Sequence, residues 1–343
     1  MPGLLSRCYN AIPSVFMYAL ARTPKEHGPE FCHSKRNCME PIALNTESAS
    51  ISIVIASKGR PDILSETIES LHGQTLKPAK IIVVVPSNED LPSKPLGNDV
   101  SYLVGFQGLT LQRNRGIETI PNTVKYVGCF DDDVELRSDY LEQAAAFMDA
   151  NFSVMGISGH ILADGGISRQ EAKDLIASYE LAGHSRGRFF SRGKHHILYG
   201  CNMIIRRVVL NYERFDENLP FYSYGEDYDM SIRLERYGLI GKFEGCIGVH
   251  LATPRGRVRE LLRGYSFVAN NWYFLKKGVT HLPLTLAWLR FLLICVGKSI
   301  LISVWNLIKG DRSLDWGGRL RGLLLAVTDI FAGRCHPERI KQL

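Results

Sequence analysis

An α/β fold with a largely parallel central sheet is predicted by three observations. Ile51-Ser-Ile-Val-Ile-Ala56 and Ile81-Ile-Val-Val-Val85 are short, nearly unbroken apolar runs rich in β-branched residues, the signature of strands buried on both faces. Between them Leu64, Ile68 and Leu71 recur at spacings of four and three, a helical stripe with Pro61 suited to its first turn. Strand, helix, strand in that order implies right-handed crossovers, and hence parallel pairing.

A further segment of strand character, Val124-Lys-Tyr-Val-Gly-Cys-Phe130, runs into Asp131, Asp132 and Asp133. Adjacent carboxylates repel, and a hard divalent cation that accepts oxygen ligands is the partner that compensates them. A polar turn or a cap for the helix expected over Tyr140 to Met148 is the competing explanation. In open sheets ligands sit beyond the carboxyl ends of the strands, so Ser57-Lys58-Gly59-Arg60, Pro86-Ser87-Asn88 and Asp131 to Asp133 should converge on one crevice. A second acidic group, Glu226 and Asp227 after Gly225, opens a helix expected to carry Met230, Leu234 and Tyr237 inward. A carboxylate there can serve as a general base, or an acidic first turn can simply answer the helix dipole.

Composition bounds the possibilities. The chain has 343 residues, 45% hydrophobic and 22% charged, enough for one large domain with appendages or for two domains. Its net charge of +6 is uneven, because Arg255 to Leu343 carries a balance of +10. That basic segment is interleaved with aliphatic runs and has no signature of a DNA or RNA module, so a membrane surface is favoured and nucleic acid is not. Eight cysteines at irregular spacing read as reduced thiols without a disulfide framework. Residues 1–48 are expected to form an N-terminal extension with no signal peptide, ahead of a domain over residues 49–277.

Taken together, Ile51-Ser-Ile-Val-Ile-Ala-Ser-Lys-Gly-Arg-Pro61, Gln112-Arg-Asn-Arg-Gly116, Phe130-Asp-Asp-Asp133, Gly200-Cys-Asn-Met203 and Gly225-Glu-Asp-Tyr-Asp229 resemble the inverting glycosyltransferases of family 2. Their order, with 75 residues from Ala56 to Asp131 and 94 from Asp133 to Asp227, carries the resemblance over roughly Ser48 to Lys277. It implies a GT-A fold, Rossmann-like with flanking helices, and transfer of one sugar from a nucleoside-diphosphate donor, UDP-linked by default. The resemblance makes Asp227 the general base. It assigns the donor nucleotide to Ala56, Ser57, Lys58, Arg60, Ser87, Arg113, Asn114, Asp131 and Asp132. Asp133 and Asp131, with His250 beside them, would hold Mg²⁺ or Mn²⁺, and Asn202 and Glu226 would line the sugar or acceptor pocket. One departure stands out: the family's base-reading aspartate after the second strand is replaced by Val85-Pro86-Ser87-Asn88. A sugar nucleotidyltransferase, or a non-catalytic membrane scaffold that keeps the fold, remains an alternative.

Residues 278–343 are expected to be helical, basic and membrane-associated. Leu284 to Ile308 is 25 residues long with fourteen Leu, Ile, Val or Phe, long enough to span a bilayer, yet Arg290 and Lys298 interrupt it. Its apolar side chains gain about 7 kcal/mol at most on an insertion scale and the two cations cost about 6 kcal/mol, so spanning and lying on the interface are nearly degenerate. The shorter amphipathic stretch Leu320 to Phe331 fits a helix resting on anionic headgroups. Peripheral or monotopic attachment to the cytoplasmic side of the cell membrane follows, with a lipid-linked or glycan acceptor as in surface polysaccharide synthesis. A helical subdomain or a homo-oligomer interface is the other reading of these helices.

Overall fold

The computed structural model describes residues 50–181, 187–191, 197–255 and 258–343. The expected N-terminal extension, with Cys8, Cys32 and Cys38, and Arg257 of the basic run lie outside the described residues.

The strands form one mixed sheet in the order β3-β2-β1-β4-β8-β6-β9-β5, with β7 (Phe189–Phe190) on β9. Its first half is the predicted one: β1 (Ile51–Ala56) lies between β2 (Lys80–Val85) and β4 (Tyr126–Asp131), β3 (Val100–Val104) lies outside β2, and all pair in parallel. β8 (Asn202–Arg206) runs antiparallel between β4 and β6 (Val154–Asp164), and β6 pairs in parallel with β9 (Leu239–His250). β5 (Val134–Leu136) returns antiparallel on β9 directly after the acidic triplet. The α/β architecture expected from the sequence, with parallel strands in the first half of the sheet and a helical C-terminal region, is the one observed.

Both faces of β1 are buried, as its unbroken apolar run requires. One face packs with Leu64, Ile68 and Leu71 of α1 (Pro61–His72) and with α3 (Tyr140–Ala150). On the other, α2 (Leu109–Glu118) approaches closely because Gly116 has no side chain; a Cβ there would stand 2.5 Å from Val54 Cγ1. Helix α4 (Arg169–Leu181) covers part of β9, and α5 (Glu226–Leu234) ends before Tyr237, which packs beside it on the sheet.

Ala49–Leu343 groups as one unit. The boundary expected at residue 277 falls within a single apolar cluster, where Tyr265, Val268 and Ala269 of α6 (Glu260–Lys277) pack with Phe291, Cys295, Leu323 and Ala326. Helices α7 (Leu284–Arg290) and α8 (Ser299–Ile308) are joined through a π-helical stretch, Phe291–Lys298. α9 (Trp316–Phe331) meets α6 backbone to backbone: a Cβ on Gly264 would stand 2.2 Å from Arg319 O, and one on Gly322 would stand 2.0 Å from Leu261 O. Among the described residues, Leu284–Ile308 is the helix long and apolar enough to cross a membrane, and only 17% of its most apolar window is buried.

Candidate active site

The parallel strands place three loops together. Register sets Ala56 opposite Asp131, while Ser87 follows the neighbouring β2, so the ends of β1, β2 and β4 share one rim. Lys58 is exposed at its tip.

Helix α2 ties this rim to the second acidic group, and each residue of its motif has a distinct task. Gln112 Nε2 donates to Ser57 O at 3.1 Å and Val84 O at 2.6 Å, fixing the β1 and β2 ends. Arg113, wholly buried, donates from Nη2 to Asp131 Oδ1 at 3.1 Å and Gly200 O at 2.7 Å, and from Nη1 to Glu226 Oε1 at 2.5 Å. The acidic turn after β4 and the start of α5 therefore meet at one guanidinium. A Cβ at Gly200 would stand 2.9 Å from Glu226 Oε1 and 3.4 Å from Asp227 Oδ2, so a side chain there would displace these carboxylates.

Asp227 is half-buried in the first turn of α5, where its Oδ1 accepts from Tyr228 N at 2.8 Å and its Oδ2 from Gly200 N at 3.2 Å. Burial raises its pKa above the ordinary carboxylate value despite these bonds. Burial also lifts Glu226, to about 8, with the charge of Asp227 adding to the effect and Arg113 opposing it. Asp131 and Glu226 share the one guanidinium of Arg113, whose charge opposes the upward shift that burial gives Glu226 and Asp227.

Asp131, Asp133 and His250 offer ligand atoms within 4.8 Å of one another. His250 Nε2 stands 3.3 Å from Asp133 Oδ1 and 3.8 Å from Asp131 Oδ2. Asp133 Oδ2 is committed to Arg60 Nη1 at 3.0 Å and Thr253 N at 2.8 Å, whereas its buried Oδ1 has no hydrogen-bond partner of good geometry. Two carboxylate oxygens and an imidazole suit a divalent cation such as Mn²⁺ or Mg²⁺, so the residues fit the ion implied by the sequence. Burial would raise the Asp133 carboxyl, but His250 and Arg60 outweigh it and hold the group well below the usual range. The His250 ring is lowered by burial and raised more strongly by Asp133 and Asp164, to about 10.

Four residues expected to contact ligand turn inward instead. Asp132 is fully buried, accepting from Ser57 Oγ at 2.5 Å and pairing with Arg60 at 2.5 Å, so Asp132 and Ser57 brace the β1 and β4 ends. Burial pushes the Asp132 carboxyl up to about 7 against the pull of Arg60. Asn114 spends its amide on Phe215 O and Glu217, both at 2.9 Å, and receives Phe215 N at 2.9 Å. Asn202, fully buried on β8, faces Tyr199 O at 3.2 Å and Gly159 N at 3.3 Å once its amide is oriented to suit them. Neither asparagine reaches the cleft.

Two further residues emerge from the structure. Asp90 accepts from Gly59 N at 2.5 Å and from Ser87 N at 3.2 Å and Oγ at 2.8 Å, tying the first two loops together. Ser87 and Asp90, three apart, form a capping box that was readable in the sequence. Asp164 receives Tyr199 Oη at 2.6 Å and holds His250 Nδ1 at 2.7 Å; nothing local in the sequence announces that role.

The description Glycosyl transferase family 2 matches residues 52–212. A curated relative, the glucosyl-dolichyl phosphate glucuronosyltransferase of Haloferax volcanii, is 27% identical over 183 residues, covering 49% of this chain and 56% of the relative. The match thus spans little more than half of that protein. Among solved structures, GalNAc-T7 with UDP, GalNAc and Mn²⁺ aligns with a TM-score of 0.49 at 15% identity, over 72% of this chain and 54% of that one. Residues 1–349 of S. aureus TarS align with a TM-score of 0.44 at 14% identity, over 69% and 68%. Residues 52–212, which hold the acidic turn, the α2 motif and the parallel half-sheet, are thus similar to glycosyl transferase family 2.

Proposed function

We propose that the chain is an inverting glycosyltransferase that moves one sugar from a nucleoside diphosphate to a hydroxyl of a lipid-linked acceptor. The observation that supports this reading is the Arg113 bridge, which joins Asp131 of the acidic turn to Glu226, the neighbour of Asp227.

Asp227 takes the proton of the acceptor hydroxyl, whose oxygen bonds to the anomeric carbon as the bond from that carbon to the diphosphate breaks. The raised proton affinity of Asp227 suits it to this task. One displacement inverts the configuration. Arg113 holds Asp131 and Glu226 in place, and Ser57, Arg60 and Asp132 brace the floor beneath the nucleotide. A divalent cation held by Asp131, Asp133 and His250 would neutralise charge on the departing diphosphate.

The exposed apolar face of Leu284–Ile308, with Arg290, Lys298, Lys309 and Arg312 in and beside it, supports attachment to the anionic cytoplasmic leaflet by lying on it. A lipid-linked acceptor is consistent with that attachment and with the dolichyl-phosphate chemistry in the name of the Haloferax relative. Surface polysaccharide assembly is the setting this combination suits.

Calorimetric titration with UDP, GDP and dTDP, each with and without Mn²⁺, tests the reading. Uptake of one nucleotide, dependent on Mn²⁺, is expected; absence of uptake in every case refutes it.

A further inference from the structure

The turn leading into α5 is strained. Phe221 and Ser223 have φ of 55° and 51°, and Gly225 follows at 82°. Residues with a side chain avoid this left-handed region, and such strain persists only where surroundings enforce it. They do: Leu109 N donates to Phe221 O at 2.9 Å, Ser223 Oγ to Leu219 O at 2.6 Å, and Asn270 Nδ2 to Tyr224 O at 2.8 Å. The strained turn leaves Tyr222 47% exposed, although Phe221 and Tyr224 on either side are half-buried.

Tyr222 lies under the Arg263 guanidinium, 5.5 Å from ring centroid to Cζ. Glu260 serves two arginines, accepting from Arg263 at 2.7 Å and Arg319 at 3.2 Å. One carboxylate facing two guanidiniums leaves a net positive charge, and among the described residues both arginines spend only Nη1 on it. The remaining N–H groups form the planar fork that suits phosphate. Tyr222 stands three residues before Gly225, the N-cap of the helix that opens with Glu226 and Asp227, so the patch borders these carboxylates. Its other border is apolar: Phe221 packs in the cluster of Phe291 and Cys295, within the Leu284–Ile308 helix.

We propose that Arg263, Arg319 and Tyr222 form the subsite for the phosphate of a lipid-borne acceptor, between Asp227 and the apolar helix. This rests on the transferase reading above and adds the chemical class of the acceptor. An anion docked there has its lipid chain beside the apolar helix and its head group beside the base. The donor diphosphate would belong to the opposite wall, with Asp131, Asp133 and His250.

The full-length chain tests this by co-sedimentation with phosphatidylcholine vesicles, either plain, carrying a polyprenyl monophosphate, or carrying phosphatidic acid. UDP titration with Mn²⁺ is run alongside. Wild type should bind the polyprenyl phosphate vesicles most tightly. Arg263→Gln should lose about tenfold of that increment while plain-vesicle binding and UDP affinity stay unchanged, and Arg263→Lys should recover part of it. Tyr222→Phe, which keeps the ring and removes one hydroxyl, should lose a smaller part and guards against misfolding at Arg263. An increment untouched in both Arg263→Gln and Tyr222→Phe overturns the subsite, and so does an equal response to phosphatidic acid. Loss of UDP affinity in Arg263→Gln assigns the patch to the donor and also overturns it. If wild type takes up no nucleotide, the transferase reading itself fails, whatever the vesicles show.

Discussion

Asp164 Oδ1 lies 2.7 Å from His250 Nδ1, and the opposite nitrogen of that ring faces Asp133 and Asp131. A carboxylate behind an imidazole fixes the ring's orientation and tautomer and strengthens it as a ligand. Asp164→Asn is therefore expected to weaken Mn²⁺ binding roughly 10–100-fold without donor present, as read by calorimetry or manganese spin resonance. Tyr199→Phe, which removes only the hydroxyl at 2.6 Å from Asp164, should cost less.

Asp227→Asn keeps the shape of the side chain and removes the proposed base. Transfer should fall by roughly 10²–10⁴-fold, while nucleotide affinity and the melting temperature stay near wild type. Undiminished turnover would reassign the proton acceptor.

Glu226 makes stability depend on pH. Its carboxyl rises from 4.5 to about 8 on folding, so the folded chain binds the extra proton across that interval. Stabilisation is present in full below about 4.5 and is lost as pH climbs through about 8. The melting temperature of wild type should drop across this window, and Glu226→Gln should drop less steeply. Asp132, raised to about 7, acts with the same sign and keeps the variant's slope from vanishing.

Gly322→Ala should destabilise the protein by about 1–3 kcal/mol, because the new methyl meets the Leu261 carbonyl at 2.0 Å and backbone has to move. Gly317→Ala is the control in the same helix: its Cβ meets only Asp315 Oδ1, at 3.6 Å, and should be neutral or stabilising by about 0.5–1 kcal/mol. Chemical denaturation of both variants measures the contrast.

What could be read from residues alone depended on how local the determinant was. Ile51–Ala56 and the acidic end of β4 were legible because an unbroken apolar strand followed by carboxylates looks the same in the chain as in the fold. Asn202 and Asn114 were not, since which side of a strand or helix a residue presents depends on partners distant in sequence; Phe215 and Glu217 lie about a hundred residues beyond Asn114. The reversal of β8 between β4 and β6 was hidden for the same reason, as apolar content reports burial but not direction. Asp90 shows the intermediate case, in which the missing aspartate after β2 drew notice while the one a few residues on, holding Gly59 and Ser87, did not.

The backbone contact of Gly264 and Gly322 leaves no play between α6 and α9, and Asn270 of the same α6 grips Tyr224 beside the base. Whatever seats the Leu284–Ile308 helix thus also sets the altitude at which Asp227 works. On the proposed attachment to a membrane surface, the acceptor's own head group would have to bridge that height, so acceptors with head groups of different length would differ in reach.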